Sequence, residues 1–119
     1  MIVTNSQVDL LARLLDVSGL RHETIAQNVA NVNTPGFRHL NVRFEDAFNQ
    51  LLSAGKSGQA MQVKPQVLQA GGGLVRADGN NVDIDQEMGQ LTKNSMLYRV
   101  YAQVLAVQLA SWRSAISGR

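Results

Sequence analysis

The fold is decided by the C-terminal third of the chain, where residues 84–116 read IDQEMGQLTKNSMLYRVYAQVLAVQLASWRSAI. Apolar or small residues recur there at alternating spacings of four and three, from Ile84 to Ile116. A period of 3.5 residues is typical of a long helix that packs against a second helix. Asp83 precedes the pattern, and its carboxylate can accept hydrogen bonds from free amides of the first turn. The sequence therefore predicts a long helix that follows Asp83.

A second pattern with the same period lies near the N-terminus, from Val8 to Val32. We expect this helix to begin after a cap at Ser6. It should stop near Asn33, because Pro35 disfavours helical backbone at the residue before it and lacks an N–H. The two patterns together predict an assembly seam formed by Val8, Leu11, Leu15, Ile25, Val29, Met88, Leu91, Tyr98, Leu105, Leu109 and Trp112.

The middle of the chain, residues 34–80, has a different composition. It holds seven of the ten glycines and both prolines. The pattern predicts a helix over Phe44–Leu52 and a linker over Gly55–Ala60. Two short strands, Met61–Leu68 and Leu74–Ala77, could form a β-hairpin around Gly71–Gly73. We expect this segment to be extended and to lack a core of its own.

These patterns predict a mainly α protein with a single domain, residues 1–119. Its N-terminal helix (1–33) and C-terminal helix (81–119) would pack as an antiparallel, coiled-coil-like pair, joined by the extended middle segment (34–80). One interpretation is a self-contained helical hairpin. The other is a subunit of an assembly, because a single seam leaves a second apolar line uncovered. That line comprises Val100, Val104 and Val107.

Composition excludes several classes of function. The chain has no cysteine, which excludes disulfides, thiolate metal sites and thiol nucleophiles. Its net charge of +2 is not gathered into a basic cluster, so a nucleic-acid site is not expected. The uncharged stretch Val100–Trp112 is shorter than the roughly 20 residues of a transmembrane helix. The start of the chain has neither the cationic region nor the apolar run of a signal peptide.

No constellation of catalytic residues stands out either. The two histidines, His22 and His39, do not form a pair at helical spacing. Residues 78–83 have the carboxylates of a calcium loop, but Asp83 stands where such a loop needs glycine. We therefore expect a turn that leads into a capped helix, no metal, no cofactor and no enzymatic activity.

Residues 30–37, ANVNTPGF, form a more specific motif. They resemble the Ala-Asn-x-x-Thr-Pro-Gly-aromatic motif that ends the first helix in axial proteins of the bacterial flagellum. Residues 78–88, DGNNVDIDQEM, are similar to the lead into the C-terminal helix of these proteins, and the small size resembles basal-body rod subunits. The motif residues that match are Ala30, Asn31, Asn33, Thr34, Pro35, Gly36 and Phe37.

The resemblance implies a structural subunit of the proximal rod, which connects the membrane ring to the distal rod and transmits torque. It implies self-association, and contact with other flagellar rod proteins, the membrane-ring protein and the rod–ring adaptor. It also implies passage through the flagellar type III export apparatus without a cleaved signal, and a place in the periplasmic rod of the basal body. The alternative is a soluble helical adaptor or a type III secretion chaperone.

Overall fold

The computed structural model describes residues 5–118 and is mainly helical. Its elements are α1 (Asn5–Ala30), β1 (Leu40–Arg43), α2 (Glu45–Ser53), α3 (Ser57–Ala60), β2 (Gln66–Gln69) and α4 (Ile84–Ser117). The predictions of a mainly α protein and of long helices toward both ends of the chain are confirmed. The molecule is elongated, with extents of 64 × 32 × 14 Å.

Helices α1 and α4 pack against each other in opposite directions. The Ser18 hydroxyl donates to Asn94 Oδ1 at 3.1 Å, and ten residues later Asn28 Nδ2 donates to Glu87 Oε2 at 3.2 Å. From Ser18 to Asn28 along α1, the partner residues on α4 run backwards from Asn94 to Glu87, so the two helices are antiparallel. A coiled-coil geometry for this pair stays a prediction.

The predicted cap of α4 is confirmed, whereas the predicted ends of α1 are wrong. Asp83 Oδ1 accepts from the N–H groups of the two residues Asp85 and Gln86. Helix α1 already includes Ser6 and ends at Ala30, three residues before the predicted stop. The early end has a local cause in Asn31, whose side chain binds both the backbone and a neighbouring hydroxyl and so competes with helical geometry.

The sheet differs from the predicted hairpin. Strand β2 pairs antiparallel with β1, from Leu40↔Gln69 to Arg43↔Gln66, and not with residues 74–77. Residues 74–77 form no strand, and Leu74 is 96% exposed. The backbone turns away after β2 because Gly72 and Gly73 have φ of 85° and 76°. A strand of only four residues with one buried side chain gives too short an alternation to be recognised as β1.

The middle segment is less extended than predicted, and the residues it buries pack against α1. The main buried cluster of the described residues contains Val17 of α1 together with four residues of the middle segment. Those four are Val42, Phe44, Phe48 and Ala60. Ala60 belongs to α3, where the sequence predicted a linker, and it is fully buried. The middle segment therefore packs as a small layer on one face of α1.

Among residues 5–118, neither long helix has a stretch apolar enough to span a bilayer.

Candidate assembly site

The most deeply buried residues of α4 lie next to the predicted seam and not on it. Glu87 and Asn94 are nearly inaccessible to solvent, and each stands one position before a seam position, Met88 and Ser95. The hydrophobicity pattern missed these two residues because they are polar and bind α1. Of the seam members, Met88, Tyr98 and Leu109 are exposed, and Leu91, Leu105 and Trp112 are half-buried.

On α1 the seam positions are less exposed. Ile25 is buried, and the remaining members Val8, Leu11, Leu15 and Val29 are half-buried. His22, a polar position within the same pattern, is exposed on the surface. Whether these side chains meet across a subunit boundary stays a prediction.

The structure brings together the two segments that carry the sequence resemblance. Gly36 N–H donates to the Asp78 carbonyl at 2.8 Å. The fully buried Asn80 donates from Nδ2 to the carbonyls of Asn31 and Thr34, both at 2.8 Å. Its Oδ1 accepts from the Val82 N–H at 2.7 Å. One side chain therefore fastens the loop before α4 to the turn after α1, and we call this cluster the α1–α4 junction.

Arg76 adds a charge to the α1–α4 junction. Its guanidinium donates from Nη2 to the Val32 carbonyl and from Nη1 to the Val82 carbonyl, the latter at 3.2 Å. The Asp78 carboxylate lies 3.8 Å from Nε. A cation beside the free carbonyls that follow a helix is favoured by the helix dipole. Arg76 therefore gives a charged partner to the Val32 carbonyl, which lies two residues beyond the end of α1.

Two glycines allow the backbones of the junction to approach. Gly36 and Gly79 have φ of 74° and 83°, a region that other residues rarely adopt. A Cβ atom on Gly79 would lie 3.4 Å from the Gly36 Cα. Gly36 of the motif thus adopts a backbone conformation that favours glycine.

The other motif residues act mainly through the backbone. Ala30, Asn33, Thr34 and Pro35 are exposed, and Asn31 and Phe37 are half-buried. Thr34 and Asn31 offer their carbonyls to Asn80, and Phe37 offers its carbonyl to the Asn81 N–H at 3.4 Å. The structure therefore explains the motif as a turn of fixed shape.

A buried carboxylate lies next to the junction. Glu87 is 1% exposed, and its Oε1 lies in a close contact with His39 Nδ1. The same His39 Nδ1 lies 3.2 Å from Asn28 Nδ2. Asn28 donates to the other oxygen of Glu87 and also exchanges two hydrogen bonds with the backbone of Leu40. Sequence analysis missed this cluster because its three polar residues come from three distant parts of the chain.

A second ion pair holds α2 against α1. The Arg21 guanidinium binds the Glu45 carboxylate through two nitrogens, each at 2.8 Å. Partial burial raises the pKa of Glu45, but the hydrogen bond and positive charge of Arg21 lower it further, so the pKa lies below the ordinary value of 4.5. The carboxylate is therefore ionised wherever the protein is near neutral pH.

No cluster of three or more His, Asp or Glu side chains within residues 5–118 is arranged to hold a metal ion. The polar groups described above bind one another and the backbone, an arrangement that fixes shape. Three valines on one side of α4 are open for contacts with other molecules, since Val100, Val104 and Val107 are 55%, 39% and 56% exposed. We call these three residues the α4 apolar line.

Comparisons with known proteins agree with this description. The family model described as "Flagella basal body rod protein" matches residues 20–38, which include the whole motif at residues 30–37. The flagellar basal body rod protein FlgB of Borrelia hermsii is 34% identical over 89% of this chain and 92% of its own length. The same protein of Borreliella burgdorferi is 32% identical over 83% and 87%, and that of Salmonella typhimurium is 27% identical over 87% and 88%. With relatives above 30% identity along nearly their whole length, the chain belongs to the flagellar basal body rod protein family.

Proposed function

We propose that this chain is a structural subunit of the proximal rod that assembles with other rod proteins through the α4 apolar line. The family is a structural one, and its members are not enzymes. In this proposal the subunit lies in the periplasmic part of the basal body and contributes to the connection between the membrane ring and the distal rod. It reaches that place through the flagellar type III export apparatus without a cleaved signal.

The observation that carries the proposal is the amount of surface that the isolated chain leaves open. Its accessible surface is 8168 Å². A compact monomer of 13.0 kDa is expected to expose about 6,300 Å². The excess of roughly 1,900 Å² is about twice the roughly 800 Å² that each partner buries in a protein–protein interface of standard size. The isolated chain therefore exposes enough surface for contacts with neighbouring subunits.

The α4 apolar line supplies contact area of the right kind. Its three valines share one face of the helix, since they are spaced by four and three residues. Exposed apolar side chains in a continuous row are typical of interaction sites. Neighbouring rod subunits, the membrane-ring protein and the rod–ring adaptor are the partners proposed for this face. The alternative of a soluble adaptor or secretion chaperone is not favoured, because the family is a structural one.

The proposal is tested by complementing a strain that lacks the gene with single variants of α4. Val107→Asp places a charge on the α4 apolar line, and Ala106→Asp places the same charge on an exposed position of another face of the same helix. Because both positions are exposed, neither charge should unfold the isolated subunit. We expect Val107→Asp to abolish swimming and rod assembly seen by electron microscopy, while Ala106→Asp swims normally. Normal rods with Val107→Asp would refute the proposed contact.

A further inference from the structure

The two-stranded sheet has one edge that is closed by α1. Bonded and non-bonded residue pairs alternate along antiparallel strands. The hydrogen bond from Ala70 N–H to the His39 carbonyl, at 2.8 Å, makes these two residues a bonded pair. The pairs Leu40–Gln69 and Val42–Val67 are therefore non-bonded pairs. It follows that Leu40 and Val42 of β1 direct their backbone groups outward. Asn28 binds both backbone groups of Leu40, and Arg21 binds the Val42 carbonyl at 3.3 Å, so side chains of α1 cover this edge.

The other edge belongs to β2 and is open. By the same alternation, Val67 and Gln69 direct their N–H and C=O groups away from β1. No hydrogen bond to these four groups is found within the described range 5–118. Pro65, which occupies the next outward position, has no N–H and therefore ends the usable edge. An open strand edge with donors and acceptors in a row is a template for pairing with another strand.

The side chains around this edge are suited to contact as well. All four residues of β2 are exposed, and Val67 and Leu68 are 43% and 42% exposed. No charged residue occurs between Gln66 and Val75. Exposed edge strands are usually protected by charge, and this strand has only Pro65 and the preceding Lys64 at its start.

We propose that the edge formed by Val67, Leu68 and Gln69 pairs antiparallel with the same edge of a second copy of this chain. Val67 of each copy then lies opposite Gln69 of the other, and four hydrogen bonds form between their backbone groups. Leu68 lies opposite Leu68 of the second copy, where side chains are closest. The edge is complementary to itself because its two bonding residues are placed symmetrically about Leu68.

The register is restricted by Pro65, and the choice of a second copy follows from charge and symmetry. A pairing centred on Val67 would place Gln69 opposite Pro65, which cannot donate, so that register loses hydrogen bonds. The absence of charge along the edge means that two identical strands meet without repulsion between like charges. A contact of this symmetry closes after two copies and cannot build a filament. The pair is therefore a state of the subunit outside the rod.

Disulfide trapping tests the register directly, since the chain has no cysteine of its own. Leu68→Cys places two thiols in a non-hydrogen-bonded pair, where Cα atoms lie about 4.5 Å apart, within disulfide range. The matched control is Gln66→Cys on the same strand, whose two thiols would be separated by about 13 Å. Mild oxidation should convert most of the Leu68→Cys protein to a covalent dimer and leave Gln66→Cys monomeric. Equal and low yields for both variants would overturn the proposal.

Analytical ultracentrifugation tests the hydrogen bonds. Val67→Pro removes an outward N–H from each copy and leaves the pairing with β1, whereas Val67→Thr keeps that N–H. We expect the wild type and Val67→Thr to form dimers, and Val67→Pro to raise the dimer dissociation constant about tenfold or more. Circular dichroism checks that the variants are folded, and the disulfide result stands even if Val67→Pro is not. Two results together would overturn self-pairing: a wild type that stays monomeric at high concentration, and a Val67→Pro variant that is defective only in rod assembly. They would indicate that the edge binds another rod protein.

Discussion

Replacing Asn80 with alanine tests whether a single side chain fastens the α1–α4 junction. The substitution removes hydrogen bonds to the carbonyls of Asn31 and Thr34 and to the N–H of Val82. Each such bond contributes about 1 kcal/mol net, and a buried group left without a partner costs up to about 3 kcal/mol. Val82 is buried and its N–H would lack water, whereas the exposed Thr34 can be hydrated. We therefore expect a loss of about 3 kcal/mol in the free energy of unfolding.

Far-UV circular dichroism during thermal and urea denaturation measures this loss. For a chain of 119 residues, about 3 kcal/mol corresponds to a decrease of roughly 10 °C in Tm. The control is Asn49→Ala, which removes the same side chain from an exposed position of α2 and should change stability by less than about 0.5 kcal/mol. Melting curves of the two variants that coincide would refute the role of Asn80.

Two further predictions concern backbone geometry and pH. Gly79→Ala should lower the unfolding free energy by about 1–2 kcal/mol, because a residue with a side chain is strained at a φ of 83°. Gly58→Ala, at a glycine without a positive φ, is the control in the same denaturation assay. The Arg21–Glu45 pair lowers the pKa of Glu45 below 4.5, so its contribution is present above that pH and is lost as pH falls through the folded-state pKa. Glu45→Gln should therefore weaken the acid dependence of the urea midpoint below about pH 4.5, with an effect at neutral pH under about 1 kcal/mol because Glu45 is half exposed.

The two long helices could be predicted from sequence because their apolar periodicity continues over many turns. Asp83 could be predicted as a cap because its role depends only on the next three residues. Local signals of this kind do not require knowledge of the rest of the fold. The ends of α1 were predicted less well, since the side chain of Asn31 takes part in the turn that follows.

The polar interior was beyond sequence analysis for a different reason. Asn28, Glu87 and Asn94 look like surface residues in a hydrophobicity pattern, and they are buried only because each finds a partner far along the chain. The pairing of β1 with β2 is similar, because 22 residues separate Arg43 from Gln66 and neither strand is long enough to be distinctive. The motif at residues 30–37 could be recognised, but its contact with Asn80 could not.

The buried polar pairs between α1 and α4 have a mechanical consequence. A slide of one helix by a single turn, about 5.4 Å, would separate Ser18 from Asn94 and Asn28 from Glu87 at the same time. It would remove the Asn28 hydrogen bond from the buried Glu87, at a cost of about 1–3 kcal/mol. Two helices that touch only through apolar side chains can shift along each other in small steps, because apolar contacts have no fixed direction. Hydrogen bonds do have a fixed direction, so these two helices keep one relative position. A force along the 64 Å axis of the molecule therefore cannot shift α1 relative to α4 unless both pairs of hydrogen bonds break together.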